Sequence, residues 1–129
     1  MKYEPIPAHD EQIARTVIGA AIEVHRELGP GFLESIYRKA LAYELSLQGV
    51  AVEQEKEIVV PYKDIQIPGQ RLDLLVGGRV VVELKCAEEF APIHRAQLIS
   101  YLKATGLRLG LLINFKVSVL KEGIKRIVR

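Results

Sequence analysis

The sequence predicts an α/β fold in which two N-terminal helices are followed by a central mixed β-sheet with a βαβ crossover helix. Three observations lead there. Apolar residues recur at helical spacing from Ile13 to Leu28 and again from Leu33 to Leu45. Two strand-prone runs, 72–76 and 80–84, then meet around Gly77-Gly78, a glycine pair suited to the positive φ of a tight hairpin. Finally, a helix opened by Pro92 separates the second run from another apolar one at 107–115, the spacing of a crossover between parallel strands.

Each element has its own signals. Residues 1–9 read as an irregular lead-in because of Pro5 and Pro7, with Asp10 as N-cap of a first helix to about Leu28. Its stripe is Ile13, Val17, Ala20, Ala21, Val24 and Leu28, and Gly29-Pro30-Gly31 ends it. A second helix over 33–48 turns Leu33, Ile36, Tyr37, Ala40, Leu41 and Leu45 inward, and Gly49 closes it. Residues 50–60 form a long strand. Its charges Glu53, Glu55, Lys56 and Glu57 suit an edge position. A turn at 61–64, a short extension at 65–67 and a second turn at Pro68-Gly69 lead into the hairpin. The third helix runs from Pro92 to near Thr105, and 121–128 supplies a last strand interrupted at Gly123.

Composition sets the limits. A chain of 129 residues makes a single domain with a real core, and 49% hydrophobic residues without Trp make that core aliphatic. A net charge of +2 does not announce a nucleic-acid binder. A single cysteine, Cys86, excludes an internal disulfide and suits a reducing cytoplasm, and its strand parity makes it a buried structural thiol. No secretory signal or membrane span is expected.

The chemistry concentrates in the hairpin. Asp73, Glu83 and Lys85 stand among apolar neighbours, where an unpartnered charge is costly. Glu83 and Lys85 share a strand face. A two-residue loop would pair Asp73 with Val82, sending the two acids to opposite faces. A three-residue loop, Gly77-Gly78-Arg79, pairs Asp73 with Glu83 directly. Two carboxylates side by side repel unless a cation lies between them. The expectation is therefore the longer loop and a divalent metal site at Asp73 and Glu83.

An acid on one strand and Glu-x-Lys on the next resembles the PD-(D/E)xK nuclease superfamily, although Leu72 replaces the proline before Asp73. Gly31-Phe-Leu-Glu34-Ser-Ile-Tyr37 is similar to the motif of the GxxExxY protein family, a branch of that superfamily, and Gln97-Leu-Ile-Ser-Tyr101 resembles the helix motif of RecB-like nucleases. The resemblance implies a restriction-endonuclease-like core and metal-assisted phosphodiester hydrolysis. Asp73, Glu83, the Leu84 carbonyl and Glu34 would hold Mg²⁺ or Mn²⁺, Lys85 would position the attacking water, and Gln97 would reach Lys85 and the phosphate.

Other readings stand beside these. Glu34 in a first helical turn also complements the helix dipole. Gln97 could cap a carbonyl at a sheet edge. Tyr37 and His25 read as packing residues. Tyr101 and His94 are candidates for substrate contact, His94 otherwise facing solvent. The favoured function is a metal-dependent nuclease acting on nucleic acid, DNA first. The alternatives are an inactive nuclease-fold module binding nucleic acid or a protein, and a hydrolase of another phosphate ester. With no added DNA-reading domain, a homodimer or a partner protein is expected to supply further grip.

Overall fold

Proline sets the start of the first helix, because its ring suits the helix entry and its missing amide does not suit the interior. Helix α1 follows Pro7 directly and spans Ala8–Leu28. The computed structural model describes residues 4–129, so part of the expected lead-in lies outside the described residues, while residues 8 and 9 are helical rather than irregular. Asp10 is not the cap. It sits buried in the first turn and accepts a hydrogen bond from the Arg79 side chain. The expected stripe is buried from Ile13 to Val24, with Leu28 half-buried at its end.

Helix α2 spans Glu34–Leu47. Tyr37, Leu41, Ala42 and Leu45 are its buried residues, a row centred one side of the expected one. Leu33 and Ile36, expected inward, are 75% and 41% exposed. Leu33 is the extended N-cap, and the inward face is rotated towards Ala42 and away from Ile36.

Five strands form one mixed sheet in sequence order: β1 (Val52–Tyr62), β2 (Ile65–Val76), β3 (Val80–Lys85), β4 (Leu109–Asn114) and β5 (Ile124–Val128). β3 and β4 are parallel, joined by α3 (Pro92–Thr105), and all other neighbours are antiparallel. This is the restriction-endonuclease-like α/β arrangement. Helices α1 and α2 cover one face through Leu74, Val82, Leu84, Leu111 and Ile113. On the other face α3 packs Leu98 and Leu102 on Val81, Leu112 and Ile127. β3 and β4 are therefore buried on both faces, as their unbroken apolar runs require.

Several boundaries differ from expectation. The first turn contracts to Lys63-Asp64, with Lys63 left-handed, and Pro61 and Tyr62 stay in β1. Pro68-Gly69 makes no turn. β2 runs through it with a bulge, placing Val60 opposite Ile67 but Ile58 opposite Gln70. Pro68 has no amide to pair and Gly69 accepts a φ of 114°, so a bulge is the arrangement that tolerates both. β4 starts two residues later than expected and ends at Asn114. A 3₁₀ turn, Leu120–Gly123, then precedes β5. β1 is the expected edge strand. No helix among the described residues is long and apolar enough to cross a membrane.

Candidate active site

The hairpin between β2 and β3 builds the site. Gly77 and Gly78 are both left-handed (φ 62° and 68°), and the Arg79 amide closes the loop on the Val76 carbonyl at 3.1 Å. A Cβ on Gly77 would also lie 2.7 Å from the Ile13 side chain of α1, which would have to shift, and the left-handed backbone would be strained for any other residue. The loop thus has three residues. The ladder pairs Val76 with Val80, Leu75 with Val81 and Leu74 with Val82, and the next step brings Asp73 beside Glu83.

At that step side chains take over from the ladder. The Asp73 amide donates to Glu83 Oε1 at 3.0 Å, and the Leu84 amide donates to Asp73 Oδ2 at 2.8 Å. Beyond this clasp β2 continues with β1 alone, while β3 continues with β4 to the Lys85–Asn114 pair. The two acids therefore stand in the fork where the sheet divides. Asn114 holds the far side of the fork. Its Nδ2 donates to the Ala87 carbonyl at 2.7 Å, and its Oδ1 accepts from the Ala87 and Lys116 amides.

Charge accumulates in this fork. Burial, reinforced by the neighbouring Asp73 carboxylate, pushes the Glu83 carboxyl up to about 8, with Lys85 opposing. Burial also raises the Glu34 carboxyl, followed by Asp73, while Lys85 and Arg38 pull it down. Glu34 therefore belongs electrostatically to the site although it comes from α2. A helix dipole acting alone would have lowered it. The Tyr101 phenol is raised by burial and then by Glu83 and Asp73, which places α3 beside the same acids.

The Glu83 shift has a testable sign. A carboxyl whose folded value exceeds its unfolded value stabilises the fold fully below about 4.5, and that contribution is lost as pH rises through about 8. In thermal unfolding with EDTA, the wild-type Tm should fall between pH 5.5 and 8.5 by more than that of Glu83→Gln. Equal profiles would contradict the assignment.

The remaining expected residues are placed as follows. Gln97 is half-buried, and its side chain makes no hydrogen bond among the described residues, whether to Lys85 or to a backbone carbonyl. Tyr101, one turn on, accepts from Gln70 Nε2 at 3.1 Å. His94 does not simply face solvent. Its Nδ1 accepts from the Ala91 amide at 3.1 Å, capping α3 and leaving Nε2 available. Cys86 is half-buried rather than buried, beside an open cavity of about 430 Å³ shared with Phe32, Glu34 and Lys116. Burial raises its thiol. Tyr37 is a packing residue. It is buried against Phe115 in a stack 4.4 Å between centroids, donates to the Gly29 carbonyl and accepts from the Phe32 amide. These bonds fix the loop from which Glu34 emerges. His25 likewise bonds the Val117 carbonyl at 2.8 Å.

Sequence reading missed Asn114, Arg38 and Glu55. A polar residue closing the apolar run 109–113 was a signal for the first, and the four-residue spacing from Glu34 for the second. Nothing in the local sequence marks Glu55, whose left-handed φ of 48° only the fold reveals.

Among the described residues no three His, Cys, Asp or Glu side chains converge closely enough to share an ion. The donor set nevertheless suits a hard divalent cation. Two carboxylates each keep one oxygen outside the backbone clasp, and the repulsion that raises Glu83 is what such a cation relieves.

Against known proteins, the sequence matches the profile of the PD-(D/E)XK nuclease superfamily over residues 11–127. No curated protein and no solved structure matches it. The match spans nearly the whole described chain and includes the fork acids, Lys85 and α3, so this chain belongs to the PD-(D/E)XK nuclease superfamily.

Proposed function

We propose that the chain is a single-domain, divalent-metal-dependent nuclease hydrolysing phosphodiester bonds of nucleic acid, with DNA the favoured substrate. The observation that carries this reading is the fork, where Asp73 and Glu83 lie side by side within the fields of Lys85 and Glu34. Asp73 and Glu83, with the Leu84 carbonyl and Glu34, are the residues that would hold Mg²⁺ or Mn²⁺. When bound, such an ion supplies charge neutralisation at the phosphate and a bound water of lowered pKa. Lys85 orients the nucleophile and offsets charge building on the phosphate. Gln97 and Tyr101 flank the substrate, with His94 offering Nε2.

We also place the chain in the GxxExxY branch, a reading supported by the way Tyr37 ties down the loop that presents Glu34. A cytoplasmic location accords with the free thiol of Cys86. Added grip from a second copy or a partner protein is supported by the β1–β2 ribbon, whose Val59, Val60, Tyr62, Ile65 and Ile67 are exposed.

A second reading, an inactive nuclease-fold module, draws on the net charge of only +2. Cleavage assays on single- and double-stranded DNA and RNA with Mg²⁺ and Mn²⁺, beside calorimetry of Mn²⁺ binding, separate the two. The nuclease cuts at least one substrate and takes up Mn²⁺ in a manner weakened by Glu83→Gln. A module binds without cutting, and its metal uptake does not depend on Glu83.

A further inference from the structure

Arg38, near the fork, is only loosely paired. Arg38 lies one turn after Glu34 on α2, so the two side chains share a helix face. Its side chain is only 17% exposed, and its Nε is buried with no acceptor among the described residues. Its ion pair with Glu55 is long, 3.7 Å, and Glu55 is itself 53% exposed. Arg79, Lys116 and Arg126 differ, each closing tightly on a carboxylate of Asp10, Glu88 or Glu11. A buried guanidinium N–H without an acceptor is costly, and an arriving oxygen would remove that cost.

Glu55 brings this cation to the site. In the β1–β2 register Gln54 faces Leu74 and Lys56 faces Leu72, so Glu55 stands at the step opposite Asp73. Its left-handed backbone, rare for a residue with a side chain, interrupts the ladder there. Arg38 thus reaches the strand position beside a fork acid, one helical turn on from Glu34. Asp73, Glu83 and Glu34 are acceptors when ionised and cannot themselves bind a phosphate. A planar guanidinium fork can, through paired charge-assisted hydrogen bonds.

We propose that Arg38 binds a backbone phosphate of the nucleic acid next to the bond addressed by Asp73 and Glu83, exchanging the Glu55 carboxylate for phosphate oxygens as substrate arrives. This rests on the nuclease reading and adds a substrate-binding residue to it.

The test is fluorescence anisotropy with labelled single-stranded and duplex oligonucleotides, in EDTA and in Ca²⁺, across a salt series. Arg38→Ala should weaken binding about tenfold or more and lower the salt slope by about one. Arg38→Lys should recover the slope but only part of the affinity, having the charge without the fork. Glu55→Gln, which releases the guanidinium, should bind at least as tightly as wild type, and Mn²⁺ affinity in Arg38→Ala should not fall. If Arg38→Ala and Glu55→Gln lower Tm alike while affinity and slope hold, Arg38 is only a structural ion-pair partner and the proposal fails. If inorganic phosphate binds wild type but not Arg38→Ala, while oligonucleotide affinity and salt slope do not depend on Arg38, the site is one for free phosphate and the backbone assignment fails. Wild type that binds no oligonucleotide under any condition overturns the nuclease reading as well, whereas binding untouched by Arg38→Ala strikes Arg38 alone.

Discussion

Lys85→Ala is expected to slow oligonucleotide cleavage by about 10²- to 10³-fold while leaving Mn²⁺ affinity close to wild type. The separation follows from position. Lys85 shares a strand face with Glu83, and its field reaches both Glu83 and Glu34, yet an ammonium group is never a metal ligand. Removing it takes away the charge that would oppose the developing negative phosphate and leaves the acids in place. Glu83→Gln should do the reverse, weakening Mn²⁺ uptake and cleavage together. Single-turnover rates beside calorimetry for the two variants decide the matter. A Lys85→Ala rate equal to wild type would remove the lysine from the mechanism.

Arg79→Ala should give the largest loss of stability, about 3 kcal/mol, because it strands the Asp10 carboxylate, only 2% exposed, without its cation. For a chain of this size that corresponds to a Tm lower by roughly 10 °C. Asp10→Asn, which leaves a half-exposed guanidinium able to find water, should cost clearly less. The ion pair ties the third residue of the hairpin loop to α1, so it secures the loop that sets Asp73 beside Glu83. It touches neither acid. At temperatures where Arg79→Ala remains folded, its cleavage rate should match wild type, and a deficit there would mean that the loop itself moves the site.

The hairpin shows how far one-dimensional reading reaches. Apolar runs on both sides of Gly77-Gly78, and the expectation that two acids converge on one cation, favoured a three-residue loop over a two-residue one, and the register has that loop. The crossover was equally legible, since parallel strands need a long connection and 86–108 supplies it as α3. Pro68-Gly69 misled for a physical reason. Proline and glycine mark any break in regular pairing, and a bulge in a long ribbon uses the same two properties as a turn. Asp10 misled likewise. Its place before an apolar stripe suits a cap, and only the arrival of Arg79 from 69 residues away makes it a buried partner instead.

Residue order by itself determined the α/β class, the pairing of Asp73 with Glu83 and the strand face that Lys85 shares with them, because periodicity and loop length are local quantities. Tertiary structure alone decided that Glu34 from α2 joins the charge of the fork, that Tyr101 from α3 feels the same acids, and that Arg38 meets Glu55 opposite Asp73. Those contacts depend on where β2 parts from β3 and on how two helical layers close around the gap, and electrostatic neighbours across layers leave no periodic trace in a sequence.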